Sequence, residues 1–273
     1  MIQQFIHYLS NIKGYSTNTC KAYEQDCRQF AQWMQSQNTE ARWSTIERKD
    51  IDAYIISQAE KGLKPSTTNR QLASISGIYN YFIRENLLTD NPVRYESRRQ
   101  IAETIPNTIP LKDIQRAMTK LTGVEKFMVG ILITTGIRIQ EMLDMTWECI
   151  NFEENSIKII GKGNKERTVY TSSEILEFLR RYKDIPNAHG KVFAYGQRYA
   201  RTIIYNALRP YTRAKQVSPH AIRHTFATEL ANRGENVAFI QQAMGHKHLE
   251  TSQKYIDMTE IKNRRYYLNI TLN

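Results

Sequence analysis

Apolar residues recur at three- and four-residue steps through almost the whole chain. The period shortens to two in one stretch, "NSIKIIGKGNKERTVYT", residues 155–171. A 3.6-residue period demands helices that each bury one stripe, and a two-residue period demands a strand with one buried face. The chain is therefore expected to be mainly α with a small β-hairpin or sheet. In the alternating stretch Ile157 and Ile159 share a face, Gly163-Asn164 suits a turn, and Thr168 and Tyr170 continue the alternation beyond it.

The first ninety-odd residues read as wholly helical. "STNTCKAYEQDCRQFAQWMQ" aligns Cys20, Tyr23, Cys27, Phe30 and Met34 behind a Ser16 or Thr17 cap. "RKDIDAYIISQAEKG" repeats the pattern with Ile51, Tyr54, Ile55 and Ala59, and Gly62 ends it. "PSTTNRQLASISGIYNYFIRENLL" does so with Leu72, Ile75, Tyr79 and Phe82 after a Ser66 cap. With the opening segment these make a four-helix domain over residues 1–92. Residues 93–108 fall in a polar, proline-punctuated stretch that reads as a linker, its Arg94, Arg98 and Arg99 suited either to a phosphate backbone or to solvation. A second domain, 109–273, opens with "LKDIQRAMTKL" and the strongly apolar "EKFMVGILITT". It passes through the hairpin and returns to helices, the last expected over "TSQKYIDMTE".

Thirty-eight Lys and Arg against 27 Asp and Glu, a formal charge of +11, point to a polyanionic partner, nucleic acid first. No long apolar span or export signal favours a membrane or secretion. Three sparse cysteines, Cys20, Cys27 and Cys149, build no disulfide framework and fit a reducing cytoplasm.

Several residues carry potential chemistry. In "SPHAIRHTFAT", Ser218 and Pro219 suit a helix start, which puts His220, Arg223 and His224 on one face at the end that favours anions. Arg138 in "TTGIRIQEML" sits among isoleucines; its partner is either Glu141, as a structural ion pair, or a phosphate, which matches the guanidinium fork. Lys162 lies in the turn "GKGNKER", which lacks a full P-loop pattern and by itself reads as a solvated lysine. His246 follows the helix-ending Gly245, and Tyr255 lies on the next helix. A zinc site from His220, His224, His246 and His248 is disfavoured, since no acidic or Cys ligand is interleaved and Arg223 sets a positive charge beside it.

In order, "TGIRIQE", "GKGNKER", "HAIRHTFAT", "MGHKH" and "SQKY" resemble, block by block, the motif of the tyrosine recombinase (phage integrase) family: Arg, Lys, His-x-x-Arg, His or Trp, and a Tyr nucleophile. The first domain resembles the family's SAM-like core-binding domain, with "KPSTTNRQL" and "NYFIRENLLTDNP" close to the usual form. Starting at that domain, the chain is similar to the simpler Xer-type members without an arm-binding module. Lys247 departs from the small polar residue common after the second His.

The resemblance implies a core-binding domain plus a mixed α/β catalytic domain that cleaves and rejoins duplex DNA through a 3′-phosphotyrosine link, for integration, excision, inversion or dimer resolution. Arg138 and Arg223 would clamp the phosphoryl group, with His220 and His246 adding hydrogen bonds. Tyr255 would attack, Lys162 would protonate the leaving oxygen, and Glu141 would orient its neighbours. No metal or other cofactor is implied. Lys64, Thr67, Arg70 and Lys165 are candidates for phosphate contacts, each equally readable as a solvated helix face or turn. The implied partners are duplex DNA with an inverted-repeat site and three further copies in a tetramer on two sites, with the free protein monomeric. The tail's Tyr266, Tyr267, Leu268 and Ile270 would dock on a neighbour or pack on their own domain. The implied location is the cytoplasm, at the nucleoid. The alternatives are a type IB topoisomerase-like nicking-closing enzyme and a non-catalytic DNA-binding protein.

Overall fold

The computed structural model describes residues 1–38, 40–94, 99–100, 106–161, 166–183 and 190–245, the side chains of 181–183 excepted. These divide into two compact units, Met1–Glu103 and Thr104–Asn273.

The first unit contains α1 (Ile2–Asn11), α2 (Thr17–Gln37), α3 (Arg48–Glu60) and α4 (Pro65–Arg84). Each buries most of the stripe read from its periodicity: Phe5 and Leu9, then Cys20, Cys27, Phe30 and Met34, then Ile51 and Tyr54, then Leu72, Ile75, Ile78, Tyr79 and Phe82. Tyr23 and Ile55 are half-buried, and Ala59 is exposed while Gln58 is buried in its stead. Ser16 caps α2 by accepting from the Thr19 N–H. The start of α4 differs from expectation. Lys64 is the N-cap and Pro65 opens the helix, so Ser66 lies inside the first turn. Proline has its φ preset for that position and lacks the N–H a helix start cannot satisfy, which outweighs the capping preference of serine. A 3₁₀ turn at Trp43–Thr45 sets Trp43 against Phe30, Tyr79 and Phe82 at ring separations of 5.5–5.6 Å. The Tyr79 hydroxyl donates to the Trp43 carbonyl at 3.0 Å.

The polar stretch after α4 stays tied to this unit. Val93 packs on its core, and Asn69 of α4 exchanges two 2.8 Å hydrogen bonds with the Arg99 backbone.

The second unit is built around α6 (Gly123–Thr135), which buries Phe127, Met128, Val129, Gly130, Ile131 and Leu132. A helix apolar all round must be surrounded. Packed against it are α5 (Leu111–Met118), α7 (Ile139–Leu143), α8 (Ser173–Lys183), α9 (Gln197–Leu208) and α10 (Pro219–Asn232). Then α11 (Val237–Met244) packs on α10. Strands β1 (Ile150–Asn151), β2 (Ser156–Ile160) and β3 (Glu166–Tyr170) form an antiparallel sheet in sequence order.

The register of β3 decides which of its residues face inward. Ile157 pairs with Val169 and Ile159 with Arg167. Arg167 and Val169 therefore share the inward face, while Thr168 and Tyr170 face out, Tyr170 being 67% exposed. A one-residue change of phase moves every side chain to the other face.

Two helices of this unit end on left-handed glycines, Gly136 (φ 62°) after α6 and Gly245 (φ 60°) after α11. At Gly136 a Cβ would also collide with the Phe226 ring, whereas Gly234 (φ 84°) has open space. Gly136→Ala should therefore lower stability by ~1–3 kcal/mol more than Gly234→Ala, since both strain the backbone but one also overpacks the core. Urea unfolding midpoints of the two variants check this; equal losses would mean that Phe226 moves aside freely.

Candidate active site

The turn "TGIR" ends α6 at Gly136, buries Ile137 and makes Arg138 the N-cap of α7. Glu141, in the first turn of α7, accepts from the Arg138 backbone N–H at 2.8 Å and from Arg138 Nη1 at 2.9 Å. The ion pair raised as one reading of Arg138 thus exists, but it is part of a larger cluster. From β3, Arg167 Nη1 and Nη2 reach Glu141 Oε1 and Oε2 at 3.1 and 2.8 Å. Glu141 is deeply buried, with 7% of its side chain exposed against 14% for Arg167 and 37% for Arg138. Burial pushes the Glu141 carboxyl up. Hydrogen bonds from Arg167 and the Arg138 N–H, with the charges of both arginines, outweigh it and hold the group below its ordinary value.

Two guanidiniums are also anchored on helix ends. Arg138 Nη2 donates to the Gly245 carbonyl at 3.0 Å. Arg223 of α10, buried, donates to the carbonyls of Gly136 and Met244. The last carbonyls of a helix lack intrahelical partners and carry partial negative charge, so they seat a cation well. The αL glycines let the chain turn away after α6 and α11.

Ser218 caps α10, accepting from the Ala221 N–H at 3.2 Å, with Pro219 in the first turn as expected. The "HAIRH" face is split by depth. Arg223 points inward, while His220 and half-buried His224 line a cleft of about 570 Å³ with Arg201, Thr202 and Tyr205 of α9. Partial burial, then the charges of Arg223, Arg201 and Arg138, hold the His220 imidazole below its ordinary pKa. The shift favours the neutral imidazole, the form that can accept a proton.

The structure thus brings together Arg138, Glu141, Arg223 and His220. Lys162, Lys165, His246 and Tyr255 lie outside the described residues. In sequence, the stretch 162–165 runs straight into β3, and His246 directly follows Gly245. Among the described residues no group of three or more His, Cys, Asp or Glu is arranged to hold a metal ion. Of the first-unit candidates, Lys64 is exposed at the start of α4 and Thr67 is half-buried in its first turn. Arg70 pairs with buried Asp26, which also accepts from Ser74 Oγ at 2.7 Å. Arg70 is thus partly committed inside its own unit. Arg167 stands in the block "GKGNKER" but received no role in the sequence reading, because nothing local signals its pairing with Glu141, 26 residues earlier.

A helical unit followed by a unit in which arginines, a glutamate and a histidine gather beside a three-stranded sheet defines an integrase-like class. The model of the phage integrase family matches residues 107–261, and that of the phage integrase N-terminal SAM-like domain matches residues 2–86. The chain belongs to the phage integrase family. It is 28% identical to the tyrosine recombinase XerD of Listeria innocua, over 98% of this chain and 97% of that protein. It is 27% identical to XerD of Pseudomonas aeruginosa, over 93% and 91%. The fold matches XerH recombinase in a post-cleavage complex with palindromic difH (TM-score 0.76, 18% identity, 98% and 84% covered). It also matches a lambda integrase dimer bound to a COC′ core site (TM-score 0.72, 15% identity, 93% of each covered).

The charges around His220 give a direct measurement. Arg201→Ala should raise the His220 titration midpoint towards 6.5, because a positive neighbour disfavouring imidazolium is removed. NMR titration of the ring protons reads this, and an unmoved midpoint would remove Arg201 from the causes, leaving burial with Arg223 and Arg138.

Proposed function

We propose that the chain is a site-specific DNA recombinase that cleaves and rejoins duplex DNA through a phosphotyrosine intermediate. The observation that carries this reading is the seating of Arg138 and Arg223 on the ends of α6 and α11, beside a His220 whose protonation partial burial and their charges disfavour. Negative charge builds on the phosphoryl oxygens during in-line displacement, and preorganised guanidiniums stabilise that state more than the ground state.

In the mechanism, Tyr255 Oη attacks phosphorus and the P–O5′ bond breaks. His220 takes the phenolic proton, and Lys162 gives a proton to the departing 5′-oxygen. Arg138 and Arg223 hold the non-bridging oxygens, with His246 adding a hydrogen bond. Glu141 orients Arg138. The covalent link retains the phosphodiester energy, so rejoining needs no ATP. The arginines supply the charge stabilisation a metal would otherwise provide, and no cofactor enters the scheme.

Residues 1–92 act as the core-binding domain, 93–108 as the linker and 109–273 as the catalytic domain. Lys64, Thr67, Arg70 and Lys165 contact phosphates; half-exposed Arg70 reaches one with the face turned from Asp26. The substrate is duplex DNA with an inverted-repeat site, in keeping with relatives named as recombinases and neighbours described with core-site or palindromic DNA. Four protomers act on two sites, and the free protein is monomeric. No helix among the described residues is long and apolar enough to cross a membrane, and the protein works in the cytoplasm at the nucleoid.

Tyr255→Phe should abolish the covalent protein–DNA adduct while leaving DNA binding nearly intact, since little volume and no charge is lost. Denaturing electrophoresis with labelled DNA decides this; an adduct persisting in the variant would move the nucleophile elsewhere, Tyr266 or Tyr267 first. Efficient relaxation of plasmids lacking any special site would favour the nicking-closing alternative.

Lys162→Ala should slow cleavage roughly 10²–10⁴-fold, the usual worth of a positioned proton donor. A 5′-bridging sulfur, which leaves as a stable thiolate, should rescue this variant but not Arg138→Ala or Arg223→Ala. Equal rescue of all three, or none for the lysine variant, would remove Lys162 as the acid and leave Lys165 as the next candidate.

A further inference from the structure

We infer that Arg167 is a positioning residue that sets the charge of the phosphate clamp by sharing Glu141 with Arg138. The inference rests on the recombinase reading for its catalytic consequence, but its electrostatic content stands on geometry alone.

Glu141 is a buried carboxylate gripped by two guanidiniums. With one arginine, carboxylate and guanidinium would cancel, and Arg138 would be held as half of a neutral pair. With two, the cluster keeps one net positive charge. Arg167 engages both carboxylate oxygens and is largely buried, whereas Arg138 is the more exposed partner. The surplus charge therefore faces outward on Arg138, where an anion can meet it.

Two observations argue against a purely structural ion pair. Arg167 Nε is buried without an acceptor among the described residues. A buried guanidinium with an unanswered N–H stabilises a fold poorly compared with apolar packing of the same volume. Arg167 also lies directly under Gly245, where even a Cβ would come within 3.0 Å of its Cζ and Nη1. The planar group is thus wedged between Glu141 and the helix end whose carbonyl holds Arg138. One side chain fixes both partners of Arg138.

The test uses full-length protein with Arg167→Met, which fills the space without charge, Arg167→Lys, which keeps the charge without the fork, and the double variant Arg167→Met/Glu141→Gln. Adduct formation on nicked DNA should slow about 10–100-fold in Arg167→Met, the usual scale for losing a group that supports a site residue. Arg167→Lys should stay within about 5-fold of wild type, and Glu141→Gln should recover most of the Arg167→Met loss, since each restores the missing net charge. Inorganic phosphate binding to the DNA-free protein, followed through the His220 resonances, should rank the variants in the same order. If the wild type forms no adduct, the recombinase reading fails and the phosphate ranking alone judges the Arg167 assignment. A lysine variant as impaired as the methionine one, a double variant no better than Arg167→Met, or no phosphate response in the wild type would overturn it.

Discussion

The buried carboxylate of Glu141 is the interaction on which the second unit's site depends. It caps α7 through the Arg138 N–H, holds the Arg138 side chain, and reaches across to β3 through Arg167. Removing such a charge from water is expensive, and a single partner seldom compensates for it. Here a backbone N–H and two guanidiniums do so together, which is why the group stays ionised despite burial. Helix, sheet and turn are thereby joined at one point, and a shift in any of them disturbs the others.

The second constraint is where helices stop. The ends of α6 and α11 present carbonyls that their own helices cannot satisfy, and Arg223 bridges the two by donating to Gly136 and Met244. Arg138 takes Gly245 in the same way. The residues that end the helices therefore also aim the cations. This explains why glycines with positive φ stand at both ends, and why the arginines hold their places without substrate.

Much of this was legible in the sequence. The helices of the first unit follow the apolar stripes through Phe30, Tyr54 and Leu72, and Ser16 and Ser218 cap as their spacing predicts. Arg138, Arg223 and His220 stand out by residue type and order, which sufficed to propose their roles. Other features depended on tertiary geometry. The pairing of Arg167 on β3 with Glu141 on α7 spans 26 positions, and a two-residue period carries no sign of it. The pairing of Arg70 with Asp26 links residues 44 positions apart, and the two lie on separate helices with no local signal joining them. At α4, two valid start signals competed within two residues, and proline prevailed.

The same positive field has two consequences that act in sequence. Before substrate arrives, partial burial and then the charges of Arg223, Arg201 and Arg138 disfavour protonation of His220, which favours the acceptor form of the ring. A phosphodiester entering the clamp brings a negative charge against those arginines and offsets part of their field. On the proposed mechanism, the His220 pKa then rises while phosphate is bound, when the phenolic proton of Tyr255 must be taken up. A base that favours its neutral form without substrate and grows stronger with it fits this task better than one with a fixed affinity. The arrangement also limits how much positive charge the site can carry. With too little, phosphate is held weakly; with too much, His220 cannot accept the proton even when substrate is present. A carboxylate shared between two arginines limits their share of that charge to one, beside the charges of Arg223 and Arg201, and this ties the buried cluster behind Arg138 to the proton chemistry in the cleft.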